Sequence, residues 1–517
     1  MQDFWYTWYS QVPFVSDPSS FLHTNLLYYP EGASLFYNAF AYPNLFLIFI
    51  IRKILCLSPT IATLVGMHNG MLLFSYYLSA IGGFYLAKYY TKDYLSSLLG
   101  GFIFGFSPFH LAHTLHHMHV ATIQYIPFFV LCFLRFLDTR SWKFFVGAIL
   151  LYWLSALSSW YYLFYIAYYL LFYYFFEVVQ KRAFLIKRIL IPIVAIFAFV
   201  FLLLSPIAIP MISQSIGNPN AYTSGHDIFV ADLLSFIVFD PYHLLNTFTK
   251  DINAHFSGND WEKTAYLGLI NLGLILWWLI KKQKSYPIKE LSYHLWGIII
   301  FMLFAGGSFL HINGEITPIP LPTYLTQFMP FVGNVRTPSR AIVFSYLFLG
   351  IAIAMITSKY ASLISRKRSM IFFAAVSVLV FVDFYPNGLA LTRVAYPYDA
   401  YELIKQDTDS RTFGIMDLPD NYQSNNRYMM FQVFHGKPIV CANAGRKLSP
   451  TLSDTLDMDD LAVQRSQLIN GNVKYIIIHT WANEVAQPED RISVDKYARQ
   501  YPVVYSDSHE IVMKTYQ

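Results

Sequence analysis

The lysines and arginines of this chain stand almost entirely between its long apolar runs, at nearly every second gap. The clusters are Lys88/Lys92, Arg135/Arg140/Lys143, Lys181/Arg182/Lys187/Arg188, Lys281/Lys282/Lys284/Lys289 and Lys359/Arg366/Lys367/Arg368. Basic loops stay on the cytoplasmic side of a membrane, so the alternation sets a topology. It places the N-terminal segment, the loop around 213–263, the loop around 311–339 and everything after 386 on the outer face. The groups polar enough for chemistry then share one side.

The rest of the chain agrees with a membrane. It is 56% hydrophobic and only 13% charged, where soluble domains average about 25% charged. Positions 54–87 and 94–134 contain no Asp, Glu, Lys or Arg. A span needs roughly 20 apolar residues, so the first run holds one helix and the second two. Ten spans are expected, near 60–87, 94–107, 118–136, 142–158, 161–179, 189–211, 264–280, 292–310, 340–358 and 369–385. The fourth and fifth share a tight Ser158-Ser159 turn, and loop parity makes them two helices rather than one. Leu45–Ile51 ends at Arg52-Lys53 and is short for a span; it reads as an interfacial or re-entrant helix. After 386 charge returns with short β-rich runs at Thr412–Leu418, Pro438–Ala442, Val473–His479, Val503–Ser506 and Ile511–Thr515.

The expected fold class is a polytopic α-helical membrane protein of about ten transmembrane helices with a small C-terminal α/β extracytoplasmic domain. Residues 1–58 form an outer first loop with interfacial helices, 59–386 the membrane domain and 387–517 the outer domain. The net charge of +5 is accounted for by cytoplasmic loops, so no nucleic-acid partner is implied. Cys56, Cys132 and Cys441 are scattered and suggest no disulfide framework. The opening MQDFWYTWYS lacks the basic and apolar regions of a signal peptide. Either a short N-terminus is translocated, or an upstream helix is missing from the reading frame.

Several outer residues are candidates for chemistry. Asp3, one helical turn from Thr7, is either a general base at the membrane interface or an ordinary polar residue near a chain end. Glu31, in a turn by composition, is either the second acid of a site or solvated. SPFHLAHTLHHMHVA gathers His110, His113, His116, His117 and His119, with His110, His113 and His117 on one helical face. A zinc reading needs further ligands, and no carboxylate or Cys lies nearby in sequence. Binding of phosphate or sugar hydroxyls, or simple residence at the headgroups, are the other readings. Arg336 and Arg340 break the positive-inside pattern at the outer end of a span. They make either an anion site suited to a lipid phosphate or headgroup anchors. Asp17, His226, Asp227, Asp232 and Asp240-Pro241-Tyr242-His243 also lie on outer segments, and nothing local selects among them. Asp383, near an outer helix end, reads as a structural cap. No phosphate loop or nucleophile elbow is present. The middles of the spans lack the ionisable residues of ion-coupled transporters.

Asp3 with its aromatic followers, Thr24-Asn25-Leu26-Leu27-Tyr28-Tyr29-Pro30-Glu31-Gly32, Phe106-Ser107-Pro108-Phe109-His110-Leu111-Ala112-His113, Pro320-Leu321-Pro322-Thr323-Tyr324, Arg336-Thr337-Pro338-Ser339-Arg340 and His435-Gly436-Lys437-Pro438 together resemble the GT-C superfamily of integral-membrane glycosyltransferases. The resemblance is to members related to dolichyl-phosphate-mannose–protein mannosyltransferases, from the first outer loop onward, without the family's first transmembrane helix. It implies transfer of a sugar from a polyprenyl-phosphate donor to a glycan, lipid or protein acceptor at the outer face of a prokaryotic plasma membrane. By that resemblance Asp3 is the base, Glu31, His110 or His113 assist, and Arg336 and Arg340 hold the donor phosphate. No cofactor is specified, and a divalent metal is left open. The same outer arginines would serve a polymerase or ligase of lipid-linked glycans. A non-enzymatic membrane protein (a degenerate copy, scaffold or lipid carrier) would need neither them nor Asp3.

Overall fold

The structure, a computed structural model, describes residues 2–11, 22–38, 40–181, 186–218, 227–285, 287–288, 290–326, 328–329, 333, 335–388, 399–409, 412–443, 447 and 449–516. Asp17, His226, Arg182 and Lys289 lie outside the described residues. Six helical stretches are long and apolar enough to cross a membrane: Ile61–Thr91, Tyr94–His116, Met118–Thr139, Trp160–Gln180, Lys187–Ser215 and Pro338–Ala361. Trp142–Ser158, Leu269–Lys281 and Leu291–Ala305 are shorter apolar helices. The tenth expected span falls on the helix Arg366–Asp383. Ser159 is extended, at φ −156° and ψ 130°, which separates the helices on either side of it as loop parity required. The helix Tyr42–Ile54 has 13 residues, about 20 Å at 1.5 Å per residue, too short to span.

The helix Ile342–Ala361 is buried throughout its first sixteen positions, Ile342–Thr357, and forms the axis of the bundle. Its Gly350 meets Gly100 of the helix Tyr94–Gly105 backbone to backbone. A Cβ on Gly350 would lie 2.5 Å from the Gly100 carbonyl oxygen. Small residues at such crossings let apolar helices approach without a hydrophobic driving force between them.

Members of the basic clusters make contacts between helices. Tyr89 donates to Asp138 (2.7 Å) and carries the Arg135 guanidinium over its ring. Arg140 donates to the Arg188 carbonyl (3.1 Å), and Lys282 lies over the ring of Tyr360. The histidine segment, the loop 227–268 and the turn before residue 338 meet one another.

Residues 399–516 fold around a four-stranded sheet in the order Gly414–Leu418, Val473–His479, Glu510–Lys514, Val503–Ser506. The first pair is parallel and the others are antiparallel. Of the five β-rich runs, only Pro438–Ala442 forms no strand. Ile439 instead makes single parallel bridges to Leu27 and Ile415. Through the first of these the sheet reaches the first loop. The helix Gln2–Tyr9 and the segment from His23 to Ser34 share one hydrophobic core with the helix Tyr422–His435 and Ile477.

Candidate functional site

The histidine segment starts as its sequence dictates. Ser107 caps with its hydroxyl accepting from the His110 amide, and Pro108 occupies the first turn. The helix ends at His116. His117 is extended, at φ −143° and ψ 92°, before a short helix from Met118. The single face expected for His110, His113 and His117 is therefore broken. His110 turns into the bundle: Nδ1 meets the Gly105 carbonyl (2.7 Å), Nε2 meets Ser75 (3.2 Å), and its ring stacks on Tyr76. Both nitrogens are engaged, so His110 holds the packing rather than facing the cluster. His113 does the opposite. It is fully buried, neither nitrogen has a hydrogen-bond partner, and Nε2 lies 3.8 Å from Glu262.

Glu262 is the carboxylate that the local sequence of the histidines lacks. It comes from the loop 227–268, beside Trp261, whose ring stacks on His116 and meets His117 edge-on. His116 in turn bonds the Tyr242 hydroxyl at 2.7 Å. Glu262 Oε1 accepts from Arg340 Nη2 (2.5 Å) and Nε (3.0 Å), and Oε2 accepts from the Ser339 hydroxyl (2.9 Å). The Arg340 guanidinium lies 4.5 Å from the ring centre of Tyr161. Arg340 is thus buried and paired, with Nη1 making no hydrogen bond among the described residues. Arg336 is exposed and unpartnered among the described residues.

Asp3 arrives from the other side. Its Oδ2 accepts from the Met118 amide (2.6 Å), and its Oδ1 lies 4.0 Å from His119 Nδ1. Burial by itself would raise its carboxyl, but His119, His117 and the Met118 amide outweigh it and hold the group well below the usual range. Thr7 shares its hydroxyl between the Asp3 carbonyl and His68. Glu31 is exposed, and its carboxylate caps the Leu452 amide at 3.1 Å; no contact among the described residues joins it to Asp3.

Asp227 accepts from the Ser308 and Phe309 amides, and Asp232 from the Asn313 and Gly314 amides at the turn of the hairpin 309–320. Asp383 accepts from Tyr266 and from the Ile270 amide, capping a helix as its position suggested. His243 bonds the Asp383 carbonyl.

His113, His117 and Glu262 each offer one ligand atom within 4.8 Å of the others. Two imidazoles and a carboxylate suit Zn²⁺ or another first-row divalent ion. The nitrogens of His113 and Nδ1 of His117 make no hydrogen bond among the described residues, so they are free to act as ligands. The sequence assigns no ligands to a metal, because no carboxylate lies near the histidines along the chain. It marks His117 and His119 only as members of the histidine run, and it does not mark Glu262. The signal for Glu262 is its place beside a tryptophan just before a span, which the long loop's several acids obscure.

An apolar cavity of about 480 Å³ opens beside this cluster, lined by Tyr152, Tyr161, Phe164, Phe197, Leu204 and Val335 among others. Tyr161 belongs to both: one ring carries Arg340 and lines the cavity.

The model of the domain of unknown function DUF6311 matches residues 1–385. No curated protein matches the chain by sequence. Its fold is that of the oligosaccharyltransferase of Archaeoglobus fulgidus. The apo crystal structure of that protein superposes with a TM-score of 0.53 at 13% identity, over 93% of this chain and 66% of that one. Its complex with Zn and sulfate gives 0.51 at 12%, over 93% and 64%. Its complex with an inhibitory peptide and a dolichol-phosphate gives 0.50 at 14%, over 100% and 70%. This chain therefore spans about two thirds of the length of the oligosaccharyltransferase. The likeness is one of fold, to a membrane oligosaccharyltransferase, and it does not reach a particular relation to protein mannosyltransferases.

Proposed function

This chain belongs to the DUF6311 family, and we propose that it is a membrane glycosyltransferase moving a sugar from a polyprenyl-phosphate donor to an acceptor at the outer face of the membrane. One observation carries the reading. A cluster of buried His113, Glu262 and Arg340 with half-buried Asp3, His117 and His119 shares Tyr161 with an apolar cavity between helices. A charged headgroup site joined to a lipid-sized apolar slot suits a ligand with a phosphate at one end and a prenyl chain at the other.

In this reading the prenyl tail lies in the slot and the phosphate sits beside Arg340, whose Nη1 is uncommitted. Arg336 adds a second positive charge at the mouth. The acceptor hydroxyl approaches Asp3 and attacks the anomeric carbon. The bond from that carbon to the phosphate oxygen breaks, and the proton passes to the Asp3–His119 pair. The low proton affinity of Asp3 keeps it charged at neutral pH, so it orients and polarises the hydroxyl before it takes a proton. A cation held by His113, His117 and Glu262 would supply positive charge to the departing phosphate. Glu31 and His110 have no part in the step: the first caps the outer domain and the second packs the bundle.

The test is release of labelled sugar from polyprenyl-phosphate sugars by membranes containing the full chain. Asp3→Asn and Glu262→Gln should each lower turnover by about a hundredfold or more, as loss of a group acting in the transition state does. Turnover that survives both variants would remove the site. No turnover with any common donor would move the reading to a ligase of lipid-linked glycans or a protein without activity.

A further inference from the structure

Asp3 stands on a helix of only eight residues, and isolated helices shorter than about 12–15 residues are marginal in water. Its place must be set by tertiary contacts, and the contacts opposite Asp3 come from the C-terminal domain. Trp5 is fully buried, and its indole N–H donates to Gln432 Oε1 at 2.6 Å across 427 residues of sequence. Gln432 is itself fully buried. Its Nε2 donates to the Leu26 carbonyl (2.6 Å) and to the Lys437 carbonyl (3.0 Å).

That pattern fixes the amide. Both N–H bonds point at carbonyls, which accept only, so Oε1 alone can face the indole, which donates only. One side chain thereby joins the helix of Asp3, the first loop at Leu26 and the turn after the helix Tyr422–His435. Gln2 adds a second link, donating to the Asn443 carbonyl at 2.7 Å. On the far side of the same short helix, Thr7 meets His68 and Asp3 meets the Met118 amide. The helix is held between the membrane bundle and the outer domain.

We infer that Gln432 is a positioning residue for the active site: through Trp5 it seats the helix that carries Asp3, and so makes the C-terminal domain a working part of the transfer machinery. The catalytic meaning of this clamp rests on the function proposed above; the clamp itself does not. Gln432→Met keeps the volume and removes all three hydrogen bonds. Trp5→Phe removes the indole donor from the other partner and leaves the outer domain untouched.

The experiment is hydrogen exchange on the full chain in detergent for the wild type, both single variants and the double variant, alongside turnover of polyprenyl-phosphate sugars. Amides of residues 3–9 should exchange about tenfold faster in each single variant, the scale of one lost buried hydrogen bond. The double variant should add little to Gln432→Met, because the indole bond that Trp5→Phe removes is already lost there. Strand 473–479 should keep its wild-type rate. Turnover should show a fall in kcat with KM unchanged, which a general loss of folded protein would not produce. Wild-type exchange at residues 3–9 in both single variants would overturn the clamp, as would full additivity in the double. If Gln432→Met also releases strand 473–479, Trp5→Phe alone decides. A wild type without turnover would sink the transfer reading and leave the exchange result to judge the clamp.

Discussion

Glu262 divides its work between its two oxygens. Oε1 takes two bonds from Arg340, while Oε2 takes Ser339 and faces His113. Glu262→Gln keeps the shape but strands a buried guanidinium without an anion. Removing one partner of such a pair costs about 3–5 kcal/mol, so thermal unfolding of the purified variant should begin well below that of the wild type. Equilibrium dialysis against Zn²⁺ should also show a site lost. A Glu262→Gln variant as stable as the wild type would show that the pair does not anchor this corner. Asp240 offers a separate test. Burial raises its carboxyl to about 6, against the hydrogen bonds of the Tyr242, Asp240 and His243 backbone. The folded state thus holds its proton more tightly than the unfolded chain does. The associated stability is full below the ordinary carboxylate value and lost as pH rises through about 6. Asp240→Asn, which can still accept from the Tyr242 amide, should stabilise the protein at pH 8 by roughly 2–3 kcal/mol and change little at pH 3–4. Unfolding curves at the two pH values check it; a variant less stable at pH 8 would contradict the sign.

Among elements, the contact of helices 94–105 and 342–361 is the least forgiving. Gly350→Ala would place its Cβ 2.5 Å from the Gly100 carbonyl oxygen, so the helices must part. Overpacking of this kind costs about 1–3 kcal/mol, to be measured as a fall in the temperature of unfolding; an unchanged value would mean the helices separate freely. Elements of this class were legible because their causes are local. Charge-free length marked the six long apolar helical stretches, loop parity separated the helices at Ser159, and the shortness of Leu45–Ile51 kept the helix there from counting as a span. The site was legible only in part. Asp3, His113 and Arg340 stood out as polar groups at span ends, and the structure brings each of them to the cluster. Glu262 did not stand out, because its role depends on a loop folding back over histidines about 145 positions away. Glu31 and His110 stood out as well, and the structure sets both apart from the cluster. Their patterns suit a site, but the surrounding chain satisfies their polar atoms elsewhere.

At the scale of the whole molecule, the first loop and the C-terminal domain are one packed unit, and its interior holds a charge arrangement that pH can test. His479 lies fully buried between Asp417 (2.9 Å from Nε2) and Glu510 (3.5 Å from Nδ1), with Tyr401 donating to Glu510. Tyr428 and Phe431, from the helix that bears Gln432, stack on the His479 ring. Burial alone would lower the imidazole, but the two carboxylates outweigh it and raise it above its ordinary 6.5. The folded state therefore holds the His479 proton more tightly than the unfolded chain. Its contribution is complete below pH 6.5 and declines as pH rises through the raised value. Once that proton leaves, two carboxylates remain around a neutral ring in a dry interior, and the helix stacked on it loses its footing. Exchange of amides in 473–479 and 422–435, corrected for the intrinsic pH dependence of exchange, should accelerate between pH 6.5 and 9. In His479→Gln the same amides should exchange faster at pH 6.5 and show a flatter response up to pH 9. A wild-type profile flat over that range would mean the proton is not what binds these strands together. Because Gln432 of the helix 422–435 bonds Trp5, alkaline loosening around His479 should be followed by loss of protection in residues 3–9.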